Sequence, residues 1–146
     1  MIKKLTFGLA VIAALALATG SSCERTPTLK AAKNVKIYDA CKVSDDQVTI
    51  KPDGQVSWTA TKEANSIVFP NTNPPNPPPY SPFTQMTAGQ SYPIAKGQTL
   101  TSGPVRDDVK ATCSQDNPPP GSCQFKYNVT GATVGCPKDP VVVIQK

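Results

Sequence analysis

Histidine is absent from this chain of 146 residues. Without an imidazole, a Ser-His-Asp triad cannot be built, and no serine lies in the Gly-x-Ser-x-Gly motif of the α/β-hydrolases. Two pairs of adjacent carboxylates remain, at positions 45–46 and 107–108. Neighbours in a strand point to opposite faces, so solvated loop ends explain both pairs more simply than a calcium site does. We therefore expect no catalytic residue and predict that the protein is not an enzyme.

The cysteine spacing also lacks the pattern of a metal site. None of the five cysteines is paired as Cys-x-x-Cys, and zinc and copper sites are usually completed by imidazoles or by several thiolates. We therefore expect no metal ligands and no cofactor.

A strong charge of one sign is missing as well. The formal charge is +5, and without Lys3 and Lys4 the count is 13 basic against 10 acidic residues, a net charge of +3. No basic stripe alternates with aromatic residues, so we expect no nucleic-acid partner. The bases between residues 25 and 36 fit a solvated tether more simply than a segment held against anionic lipid headgroups.

The N-terminus has the pattern of an export signal. Lys3 and Lys4 precede an apolar run at residues 5–18, which is too short to span a bilayer comfortably and ends in small residues. We predict a signal peptide at 1–22. The protein is then expected in the periplasm or at the outer membrane, or else secreted.

Cys23 explains why the number of cysteines is odd. The segment Gly20-Ser21-Ser22-Cys23 resembles a bacterial lipobox, in which the cysteine is lipidated and becomes the first mature residue. Cys23 is therefore a lipidation candidate, followed by a flexible membrane tether over 23–33. Soluble secretion without the lipid is the alternative.

The rest of the chain, 34–146, is typical of one all-β domain. The 16 prolines of the whole chain argue against long helices, and period-2 alternation of apolar and polar residues is common in this range. We predict a Greek-key β-sandwich of seven to nine short strands, antiparallel or mixed. The expected strands are 35–37, 48–50, 56–60, 67–69, 125–129 and 141–144, with weaker ones at 92–95, 99–101 and 109–112.

Four cysteines remain for disulfides, and four cysteines allow three pairings. Cys113 and Cys123 bracket the turn sequence DNPPPG, so we predict that they pair with each other. Cys41 then pairs with Cys136, which would join an early strand to the approach of the last one.

A proline-rich loop at 70–82 is the main irregular segment. Its residues, together with the one that follows, include five candidates for a docking surface, because extended proline segments bind aromatic grooves: Pro77, Pro78, Pro79, Tyr80 and Phe83. A stiff loop over a small core is the simpler interpretation. Presentation of this loop to a hydrolase, as a small inhibitor, is one alternative function.

Three segments resemble the cupredoxin family, of the plastocyanin and azurin type: VTIKPDGQVSW at 48–58, NSIVF at 65–69 and CQFKYNV at 123–129. The resemblance implies a cupredoxin-like sandwich, with an immunoglobulin-like one as the alternative. It places Asn65 where the family has its first copper-binding histidine and Val129 where it has the cysteine ligand. The resemblance therefore implies the fold of the family but not its electron-transfer function.

These observations predict an exported, non-catalytic envelope protein that binds a protein or another envelope ligand through its surface. The main alternative is a metal-binding, electron-transfer cupredoxin whose ligands lie at other positions.

Overall fold

The computed structural model describes residues 32–71, 81–131 and 139–146. Most of the regular structure in these ranges is β-strand, as expected for an all-β domain. The elements are β1 (Lys33–Ile37), β2 (Gln47–Ile50), β3 (Val56–Ala60), β4 (Asn65–Val68), β5 (Ser91–Ile94), β6 (Thr99–Thr101), α1 (Asp107–Cys113), β7 (Gln124–Lys126), β8 (Asn128–Gly131) and β9 (Val141–Ile144), with a 3₁₀ turn at Asp39–Cys41.

The nine strands of the described ranges form three small sheets, with strand orders β1-β3-β6, β2-β9-β7 and β5-β4-β8. Strand β1 runs parallel to β3, and β2 runs parallel to β9. The other four pairings are antiparallel. The prediction of mixed strands is thereby confirmed.

Alternating side chains give each strand one buried face. In β3, Val56, Trp58 and Ala60 are fully buried, whereas Thr59 lies on the outer face and its hydroxyl pairs with that of Thr99 across the sheet at 2.9 Å. This alternation is the period-2 pattern that predicts half-buried strands.

Four aromatic rings form the centre of the core. Trp58 meets Phe69, Phe83 and Tyr127 edge to face, with ring centroids 6.4, 6.2 and 5.5 Å away. Edge-to-face pairs are favourable beyond the apolar area they bury. Trp58 is therefore the central residue of the core.

The expected strand at 109–112 is wrong, because this segment belongs to helix α1. Val109 and Cys113 are its buried residues, and they lie four apart, on one face of a helix. Two apolar positions are too few to establish a helical period, so the sequence pattern gave no sign of the helix.

The expected single strand at 125–129 is instead two strands in different sheets. Strand β7 pairs with β9, and β8 pairs with β4. Tyr127 lies between them, and its N–H donates to the carbonyl of Pro140 at 3.0 Å. Apolar and polar residues keep alternating through Tyr127. The sequence pattern therefore does not show that the partner strand changes at this residue.

The predicted bridge between Cys113 and Cys123 is confirmed, with Cα atoms 5.7 Å apart. It joins the end of α1 to the residue before β7. Cys41 is also disulfide-bonded, and its partner lies outside the described residues. The pairing of Cys41 with Cys136 therefore stays a prediction.

No helix among the described residues is long and apolar enough to cross a membrane. The predicted signal peptide, the tether and Cys23 lie outside those residues.

We predict that Trp58→Ala destabilises the fold by about 3–5 kcal/mol, because it removes the ring that three other rings contact. Thr59→Ala, one residue along on the outer face, loses only cross-strand hydroxyl contacts and should cost less than about 1 kcal/mol. Urea unfolding of both variants measures the difference. Equal losses of unfolding free energy in the two variants would contradict the placement of Trp58 on the inner face of β3 and Thr59 on its outer face.

Candidate functional site

The two positions that the cupredoxin resemblance assigns to copper ligands lie on neighbouring strands. Strands β4 and β8 are antiparallel, with Ile67 opposite Val129 and Asn65 opposite Gly131. Directly opposite residues share a face, so Asn65 and Val129 lie on the same face, offset by two residues along the ladder. They are 3% and 2% exposed. The structure thus brings both positions together, with an amide and an isopropyl group as their side chains.

Asn65 is held by the turn that precedes it. Its Nδ2 donates to the backbone carbonyl of Glu63 at 2.9 Å, and its Oδ1 lies 3.9 Å from Sγ of Cys41. Because Cys41 is in a disulfide, its sulfur is not a thiolate and carries no proton to donate. The Asn65 amide therefore holds the start of β4. The nearby sulfur of Cys41 is not available as a metal ligand.

Gly131 makes this arrangement possible. A Cβ atom on Gly131 would lie 2.8 Å from Oδ1 of Asn65, 3.1 Å from Oε1 of Glu63 and 3.3 Å from Sγ of Cys41. The first distance is well inside ordinary contact, so any larger residue would push the amide aside. In the sequence, Gly131 is only a glycine after an expected strand. The need for glycine there comes from side chains in two other parts of the chain, so the local sequence does not reveal it.

The turn that carries Cys41 has an unusual backbone. Ala40 and Cys41 both have positive φ angles, 49° and 56°, which normally favour glycine or asparagine. The N–H of Tyr38 donates to the carbonyl of Lys42 at 2.7 Å and closes the turn. Cys41 points inward as a result and is 2% exposed. Nothing in the local sequence signals this conformation.

The adjacent carboxylates do not converge on a common point. Asp108 accepts hydrogen bonds from Nε and Nη2 of Arg106 at 3.1 and 3.0 Å, and the hydrogen bonding and charge of Arg106 lower the pKa of Asp108. Asp107 is paired with Lys110, and Asp45 accepts from the hydroxyl of Ser44. Within the described ranges, no group of three or more Cys, Asp or Glu side chains is placed to hold a metal ion.

Phe83 is not a docking residue, which corrects the prediction that it belongs to a binding loop. It is 1% exposed, and its ring contacts Trp58 and Phe69 in the core. Its N–H donates to Oγ of Ser81 at 3.1 Å. The other candidates, residues 77–80, lie outside the described ranges.

Two features of the described surface lack a charged side chain at their centre. One is a shallow groove of about 420 Å³ at the ends of β4, β5 and β8, lined by small or uncharged side chains such as Ala64, Ser66 and Thr130. The other is the outer face of the β1-β3-β6 sheet, where hydroxyls pair across strands: Ser57 with Thr101 at 3.1 Å and Thr59 with Thr99 at 2.9 Å. Both can make hydrogen bonds, but neither holds an acid–base pair.

Tyr127 is the one buried group with a strongly shifted pKa among the described residues. Burial raises the pKa of Tyr127 to about 12, with the neighbouring Trp58 opposing the rise and the charges of Asp45 and Asp46 adding to it. Within the described part of the chain, the phenol hydroxyl and the indole N–H of Trp58 meet no geometrically good hydrogen-bond partner. Such a phenol stays neutral at physiological pH and is not poised for proton transfer.

Comparison of the chain with protein-family models, with curated proteins and with solved structures finds no match.

We predict that Gly131→Ala destabilises the protein by about 1–3 kcal/mol, through overpacking against Oδ1 of Asn65. Thr130→Ala, on the exposed side of the same strand, should cost less than about 0.5 kcal/mol. Combining Gly131→Ala with Asn65→Ala should give a smaller loss than the sum of the single changes, since the clash is shared. Urea unfolding of the parent, the three single variants and the double variant measures these losses. If the two single losses simply add in the double variant, the contact between Gly131 and Asn65 is contradicted.

We also predict that stability falls between pH 10 and pH 12 because of Tyr127. The pKa of Tyr127 is 10 in the unfolded chain and about 12 in the folded protein. The contribution of the neutral, buried phenol to the free energy of unfolding is therefore complete below pH 10 and is lost as the pH rises towards 12. This difference between the two pKa values corresponds to a loss of roughly 3 kcal/mol in the free energy of unfolding.

Tyr127→Phe should remove that part of the alkaline loss while changing stability at pH 7 by less than about 1 kcal/mol, since the hydroxyl has no partner to lose. Tyr38→Phe, at a half-buried position, is the control and should keep the parent's decline. The measurement is the free energy of unfolding of the parent and both variants from pH 8 to pH 12. An unchanged decline in Tyr127→Phe would refute the assignment.

Proposed function

We propose that this chain is an exported, non-catalytic protein of the cell envelope. Its domain is a Greek-key, cupredoxin-like sandwich without copper, and it acts through surface contacts with another component of the envelope.

The pairing of the strands supports the cupredoxin-like fold over the immunoglobulin-like one. Immunoglobulin sandwiches are built from antiparallel sheets. In this domain two of the six strand pairings are parallel, β1 with β3 and β2 with β9. The buried Trp58 of β3 belongs to the segment 48–58 that resembles the family.

The observation that carries the proposal is the chemistry at positions 65 and 129. A blue-copper site needs two imidazoles and a thiolate, and the chain contains no histidine. Asn65 uses its amide to hold the neighbouring turn, and Val129 offers no donor atom. Function depends on the residues placed on a fold, so a scaffold of this kind can keep its shape without the metal's chemistry.

Disulfide chemistry supports export. Cys113 and Cys123 are bridged, and Cys41 is also in a disulfide. Stable disulfides are typical of the periplasm and of secreted proteins, and are rare in the cytosol of most organisms. This agrees with the export signal in the sequence and leaves two destinations, a lipid-anchored form and a soluble one.

The described surface favours contact with a macromolecule over capture of a small substrate. Small-molecule sites are usually concave and apolar, with a few convergent polar groups. The groove at the ends of β4, β5 and β8 is open and lined mainly by short, uncharged side chains. A larger partner can instead gain from many weak hydrogen bonds spread over a sheet surface.

We predict that the mature, oxidised protein takes up no stoichiometric copper and develops no intense visible band when it is dialysed against copper salts. Asn65→Ala should behave in the same way, because position 65 is not a ligand. Metal analysis and visible spectroscopy are the measurements. Stoichiometric copper with a band that Asn65→Ala abolishes would overturn the proposal in favour of an electron-transfer protein.

We further predict that the protein purified from a bacterial envelope has lost its N-terminal signal. Intact-mass spectrometry should show either an acyl mass on Cys23 or a start at a nearby small residue, with two hydrogens lost for each disulfide. Cys23→Ser should remove any acyl mass and leave the disulfides intact. A full-length, reduced chain that keeps Met1 would refute export.

A further inference from the structure

We draw no further inference here: the strongest candidate, the hydroxyl-lined outer face of the β1-β3-β6 sheet, is an unpartnered sheet face, and nothing in the structure shows what covers it.

Discussion

The packing of aromatic rings against Trp58 is the interaction on which the rest of the domain depends. Trp58 belongs to the β1-β3-β6 sheet, Phe69 follows directly after β4 of a second sheet, and Tyr127 lies at the junction of β7 and β8. In the described ranges each sheet has three strands, which is about the minimum for a stable isolated sheet. Contact at one indole therefore joins three weak units into one core.

The same cluster fixes both ends of the proline-rich segment. Phe69 precedes it and Phe83 follows it, and their ring centroids are 6.0 Å apart. Beyond Phe83, the N–H of Thr84 donates to the carbonyl of Pro104, and that of Arg106 donates to Pro82. Phe83 thus serves the core, and any docking role falls to the residues between the two rings.

The sequence predicted what depends on local alternation and missed what depends on distant partners. Strands β1, β2 and β3 follow directly from their period-2 patterns, and β9 follows from a short, continuous apolar run. The inward turn at Ala40 and the convergence of side chains over Gly131 have no local signal, because both are imposed by tertiary packing around Cys41. Phe83 was misplaced for a related reason: proline-rich neighbours suggest an exposed loop, whereas burial depends on which cavity the ring can reach.

The contacts around Asn65 hold the start of β4 in place. The amide of Asn65 satisfies the carbonyl of Glu63, and a buried carbonyl left without a donor is costly. Gly131 leaves just enough room for that amide, and Cys41 is already committed to a disulfide. A histidine introduced at position 65 would lose the amide's hydrogen bond and meet a crowded site. Each of these contacts therefore stabilises this end of the sheet.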